Sequence, residues 1–563
     1  MRAKRIITAK SRLVALALTA LLPLGGFASQ AGASGEFLPT GKQITPTAAA
    51  GSTFQPLNPD LPGHPDFTAG QAVTTATSPD GKTLLILTSG YNSQNDAAGN
   101  TDPAQSNEYV FVYDISGGTP VKKQVLQVPN TFDGLAWNPS GTEFYVSGGP
   151  DDDVHIFDHP ATTWVELAGS PVTLGHSGGS GLGSFSSTAA GLAVTADGKK
   201  LVVANFENDS VSVVDIVGRT KIGELDLRPG KINLADSGVP GGEYPFWVSI
   251  KGSSKAYVSS IRDREIVVLN ISGATPTLIK RIPLNGKPNK MILNKAQSLL
   301  FAATDVTDTI TIVNTITDTV ANEIPTTAPS SVFSNPKGFK GSSPNSLVLS
   351  LDEKTLYVTN GGTNSVAVIR LAGGGGPAVA GLIPTGWYPN SVSLNADGSI
   401  IYVVNGKSNA GPNPQNCKDK NGVATGNFGP CNAANQYVWQ LTKAGFSVIP
   451  KPSNTDLSNL TFQVAQNNGF QTTATVNKVM QLLGSQIKHV IYVVKENRTY
   501  DQVLGDLEIG NGDPSIVVFP EPTTPNHHIL ARQFVTLDNF YDSGEVSGDG
   551  WNWTTQARTT DSI

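Results

Sequence analysis

The chain has 563 residues, a formal net charge of −6, 15% charged residues, 59 glycines, 37 prolines and two cysteines. That length exceeds what one hydrophobic core serves, so at least two domains are expected. The glycine and proline content favours a turn-rich, mainly β protein, and the lack of a basic stripe argues against a nucleic-acid partner.

Arg2, Lys4, Arg5, Lys10 and Arg12 precede or edge an apolar run, Leu13 to Leu24, and Ala31-Gly32-Ala33 offers a small-residue cleavage site before Ser34. This is the order of a secretory signal peptide. The run is short and is broken by Pro23 and Gly25-Gly26, which argues against a membrane anchor. The mature chain is therefore expected to begin after Ala33, to be secreted or periplasmic, and to have no stable membrane span.

From about residue 37 to residue 450 one pattern recurs: an Asp-Gly or Ser-Gly turn, an apolar strand, an Asn/Asp turn, and a second strand often ending in Asp or Asn. Its clearest copies are Asp197 to Asn205 with Ser210 to Asp215, and Lys354 to Asn360 with Asn364 to Ile369. Weaker copies begin at Asp80-Gly81, Ser140-Gly141, Ser253, Leu299 and Asp397-Gly398. The anchors recur roughly every 43 to 60 residues, a period expected of propeller blades. Their number predicts seven blades, because a lone blade cannot bury both faces and must stack on neighbours. Phe37-Leu38-Pro39-Thr40-Gly41 echoes Leu382-Ile383-Pro384-Thr385-Gly386, so the mature N-terminus is expected to complete the last blade. Tyr357-Val358-Thr359-Asn360 is the tetrapeptide of the YVTN-type propeller repeat, which this region resembles. One face of the propeller is expected to bind a protein or polymer ligand.

Within this region, Asp151-Asp152-Asp153 reads as a solvated turn. His155 and His159 fit no zinc spacing. Ser177 to Ser187 lacks the Gly-Lys-Ser/Thr ending of a phosphate loop. Cys417 and Cys431 flank a polar loop, and an exported chain favours a disulfide between them. After Pro450, Asp456 to Asn467 and Thr473 to Leu483 show helical spacing and read as a linker over residues 451–486.

Val490 to Val494 then reads as a buried strand of a parallel sheet, with Lys495, Glu496, Asn497 and Arg498 just past its carboxyl end. Glu496 and Asn497 offer hard oxygen ligands to a divalent cation. The sequence Glu496-Asn497-Arg498-Thr499-Tyr500-Asp501 resembles the signature of the bacterial phosphoesterase family, which holds phospholipase C-type enzymes and acid phosphatases with an alkaline phosphatase-like fold. A second segment, from Leu530 to Trp553, resembles the part of that family that carries its nucleophile.

The resemblance implies a metal-dependent phosphoesterase domain beginning at residue 487, a phosphate-ester substrate and a divalent metal ion of unspecified identity. It implies Ser547 as nucleophile, Glu496 and Asn497 as metal ligands, and Asn552 and Asp549 as phosphate or metal contacts. The match departs from the family pattern around Val546 to Asn552, which keeps Thr554 and Thr555 open as alternatives. His527 and His528 read as structural. The family's later Asp and His ligands are not found before Ile563, so the 563-residue chain alone is expected to be inactive. The expected fold is thus mainly β: a seven-bladed propeller followed by the start of an α/β alkaline phosphatase-like domain. A non-catalytic extracytoplasmic binding propeller with a vestigial phosphoesterase fragment is the alternative, and a lactonase-like propeller with an axial metal is a third reading for which the sequence offers no acidic cluster.

Overall fold

A computed structural model describes residues 35–38, 40–96, 100–176, 187–229, 243–332, 341–373, 375–407, 442–470, 478–540, 544 and 547–556. Seven antiparallel sheets follow one another in the order expected of a ring. Blades 1 to 6 begin at Ala72, Leu135, Ala189, Pro245, Lys287 and Pro344, and each runs outward in chain order. Blade 7 takes three strands from late in the chain, Pro389–Leu394, Ile400–Asn405 and Gly445–Pro450, and its fourth from the N-terminus, Thr53–Pro56. The innermost strand of blade 7 packs on that of blade 1, so the ring closes. A closed ring leaves no long sheet edge for another chain to extend.

The seven repeats seen in the sequence are the second strands of the seven blades. Four of them bury a tyrosine at the third position, Tyr145, Tyr257, Tyr357 and Tyr402, each below 3% exposed. These side chains and the flanking Val, Ile and Leu residues form apolar layers between successive blades. Each large side chain so buried contributes about 1.5–3 kcal/mol. The turns before these strands need a left-handed residue. Gly81, Gly141, Gly198 and Gly398 take it at φ 70°, 73°, 70° and 70°, and Gln297 and Glu353 take it in blades 5 and 6 at 52° and 56°.

The closing strand lies later than the sequence echo suggests. Glu36–Phe37 instead pairs with Gln43–Ile44 in a small hairpin. The reason is steric: Phe54 sits over Gly386 and Gly445, where an added Cβ would come within 2.7 and 2.2 Å of its ring. Only the Thr53–Pro56 strand brings an aromatic ring to that double gap.

Helix α1 (Asn454–Asn467) is capped by Ser453, whose side chain accepts from the Asp456 N–H. It packs on the outer strand of blade 6, with Leu457, Leu460 and Val464 buried, and Thr461 Oγ1 accepts from Leu382 N at 2.9 Å. It is therefore a docked part of the propeller body. The remaining helices are α2 (Lys478–Gln486), α3 (Tyr500–Leu504), α4 (Pro525–Gln533) and α5 (Ser547–Gln556). None of the described helices is long and apolar enough to cross a membrane.

The expected start of an α/β domain is not seen: among the described residues after Pro450 there are helices and no strand. Val490 to Val493 is unpaired and exposed, with Ile491 at 89%, where a buried strand is expected. A strand's backbone groups need a neighbour to bond with, and no described segment beside this run supplies one.

Candidate functional site

Residues from the two C-terminal motifs meet around one open cavity of about 890 Å³, lined by Val494 to Thr499, Gln502, Phe540, Gly544, Ser547, Gly550, Trp551 and Thr554. Helix α5 begins at Ser547, which sets Ser547 and Trp551 one turn apart on one face. Both reach the same carboxylate. Ser547 Oγ donates to Glu496 Oε1 at 2.6 Å, and Trp551 Nε1 donates to Glu496 Oε2 at 3.1 Å. Glu496 and Ser547, 51 residues apart in sequence, are thus in direct contact.

Asn497 adopts a left-handed conformation at φ 78° and lines the same cavity. Asparagine tolerates that region through its short polar side chain. Arg498 stacks on Phe519, its guanidinium carbon 5.4 Å from the ring centroid. The end of the first motif is structural: Thr499 and Gln502 form a reciprocal capping box that starts α3, and Asp501 accepts from Asp513 N at 2.9 Å.

Other expected site residues fall differently. Asn552 donates to Gly548 O at 2.7 Å along the helix and is not among the residues lining the cavity. The Asp549 side chain, Cys417 and Cys431 lie outside the described residues. Thr554 and Thr555 both turn their hydroxyls to Trp551 O, at 3.0 and 2.6 Å. His528 is fully buried between Asp506, 2.9 Å from its Nε2, and Thr524, as a structural histidine.

In kind, the donor set of this cavity fits a hard divalent cation: a carboxylate (Glu496) and an amide (Asn497). In number it is sparse, since Glu496 is the one carboxylate lining the cavity among the described residues. Cation binding through these residues is expected to be correspondingly weak.

A second concave site lies on the propeller axis, a cavity of about 320 Å³ whose lining includes Asp133, Lys287, Asn289, Lys290, Asn345 and Asn390. Lys290 donates to Val73 O at 2.6 Å and Thr74 Oγ1 at 2.7 Å and pairs with Asp133 at 3.1 Å, so one ammonium ties blade 5 to blades 1 and 2. Burial pushes its pKa down, opposed by Asp133. Asn289, Asn345 and Asn390 each donate across to the next blade, to Pro344 O, Pro389 O and Ala72 O. The signal for them was present in the sequence, as the dipeptide Pro-Asn recurs at the start of three successive blades.

The Asp151 to Asp153 turn is not simply solvated. Asp152 is 7% exposed and accepts from both the backbone and the ring of His176, while His176 Nε2 lies 3.0 Å from Glu224 of blade 3. Burial alone would lower the His176 pKa, but the two carboxylates together raise it to about 9.

A family model described as "Lactonase, 7-bladed beta-propeller" matches residues 319–411, a span within the propeller. No curated protein matches the chain. Among solved structures, Hydrazine Synthase of Kuenenia stuttgartiensis is 17% identical with a TM-score of 0.44, the match covering 61% of this chain and 96% of that chain. A protein from Lactobacillus plantarum is 13% identical with a TM-score of 0.45, covering 58% and 88%. The chain carries a seven-bladed β-propeller, similar over residues 319–411 to lactonase-type propellers.

Proposed function

We propose that the protein is an exported, metal-dependent phosphoesterase whose reacting group is Ser547, with the propeller as a binding platform. The observation that supports this most is the 2.6 Å bond from Ser547 Oγ to Glu496, which joins the residues singled out by two separate motifs. The signal-like N-terminus supports export.

In this reading Ser547 Oγ attacks the phosphorus of a phosphate ester. The Oγ–P bond forms as the P–O bond to the alcohol breaks, and the hydroxyl proton passes to the Glu496 carboxylate that already accepts it. Water then cleaves the phosphoseryl ester, releasing phosphate and restoring the hydroxyl. Lys495 and Arg498 line the cavity and favour the anionic substrate. Glu496 and Asn497 would hold a divalent cation, which when bound polarises a phosphoryl oxygen and acidifies the serine hydroxyl.

The test is hydrolysis of chromogenic phosphate mono- and diesters, with metal content measured alongside. Turnover is expected to be slow, because the described site offers one carboxylate, and to rise with millimolar Zn²⁺, Mn²⁺ or Ca²⁺. Ser547→Ala should abolish it with metal retained. Glu496→Ala should lower metal and turnover together. Full turnover in Ser547→Ala would contradict the assignment.

A second reading is a hydrolase or binding site on the propeller axis. It is favoured by the lactonase-type match and by the axial cavity. Lys287, Lys290 and Lys407 line that cavity beside Asp133 and Asp305, and their positive charge opposes an axial cation.

A further inference from the structure

We infer that Trp551 is a positioning residue for Glu496, fixing which carboxylate oxygen faces Ser547 and which edge is left for a cation. This inference rests on the reading of the Ser547 cavity given above. Glu496 is exposed and has no cationic partner within salt-bridge distance among the described residues. A glutamate in that state samples several rotamers, and ordering it has an entropic cost. Two donors one helical turn apart restrain it: Ser547 Oγ on Oε1 and Trp551 Nε1 on Oε2.

The two donors are unequal. The serine hydroxyl rotates and must leave Oε1 when it attacks, so it cannot anchor the carboxylate through a reaction. The indole N–H is a donor only, lies on a rigid plane and has no part in the bond-making step. Trp551 is 47% exposed, so its ring contributes little to any core, and the bond to Glu496 is its main polar contact. The indole therefore does for this carboxylate what outer hydrogen bonds do for metal-ligating side chains, where removing such a partner lowers metal affinity about 10–100-fold.

The test uses the full chain and two readouts. In ¹⁵N-labelled protein the indole N–H resonance of Trp551 is identified by its loss in Trp551→Phe. It is expected to move on addition of Zn²⁺ and to lose that response in Glu496→Gln. A resonance indifferent to Zn²⁺ would overturn the inference whether or not the protein hydrolyses phosphate esters. Zn²⁺ titration supplies the second readout. Trp551→Phe should weaken binding at least 10-fold. Equal Zn²⁺ affinity in wild type and Trp551→Phe would also overturn it. A normal indole response in a protein that turns over no phosphate ester would instead remove the functional reading and leave the positioning role standing.

Discussion

At the scale of single residues, most of the informative contacts are charge pairs whose members come from distant parts of the chain. His176 is the sharpest case. Its side chain is 2% exposed and bridges Asp152 of blade 2 to Glu224 of blade 3. Its folded pKa, raised to about 9, lies above the ordinary imidazole value of about 6.5. The folded chain therefore binds this proton more tightly than the unfolded chain does. The stabilisation is fully present below pH ~6.5 and is lost as the pH rises through about 9. His176→Gln should cost about 3 kcal/mol at pH 6, because two buried carboxylates lose their cation. Urea midpoints of wild type and variant should then converge between pH 7 and 10; a gap that does not change with pH would refute the protonated bridge. Lys290 makes a parallel prediction on the axis. Lys290→Met leaves Asp133 without its ion pair and should cost about 3 kcal/mol, read as a fall in urea midpoint that Asp133→Asn in the same chain partly reverses.

Between elements, the closure of the ring depends on a short strand. Thr53–Pro56 contributes one aromatic, and that ring occupies space that Gly386 and Gly445 leave open. Gly445→Ala would put a methyl 2.2 Å from the Phe54 ring, so the strand must shift or detach. The expected result is a loss of about 1–3 kcal/mol, with faster proteolytic cleavage near residues 50–56 than elsewhere in the propeller. Unchanged stability with unchanged cleavage would show that the strand is not what holds the ring shut.

This strand also shows where sequence reading stops. The second strands of the blades were legible because a left-handed turn precedes a run of buried, mostly apolar residues, as in Lys200–Asn205 and Thr355–Asn360. Thr-Phe-Gln-Pro has no such signature, and its partner lies almost 400 residues away. The Val490 to Val494 run misled for the opposite reason. Its β-branched pattern is that of a buried strand, but pattern alone supplies no neighbour, and the run is exposed. At the cavity, Glu496 and Ser547 were legible through resemblance to a known family. Trp551 was not, because its reach to Glu496 depends on α5 setting it one turn from Ser547.

On the scale of the whole molecule, the propeller and the C-terminal cavity differ in how they are built. The propeller is a ring of repeated layers with its polar residues paired on the axis, and its stability is spread over seven interfaces. The cavity around Ser547 rests on short helices and on contacts between exposed side chains. Chemistry at that cavity would require little from the ring beyond attachment, so Lys290→Met should lower stability without changing which serine reacts. The most direct measurement is therefore covalent. The protein is incubated with a chromogenic phosphate monoester and Zn²⁺, quenched in acid, digested and mapped by mass spectrometry. The expected result is a phosphate on Ser547, absent in Ser547→Ala and reduced at least 10-fold in Glu496→Ala. Phosphate on another residue, or turnover in Ser547→Ala at the wild-type rate, would contradict it.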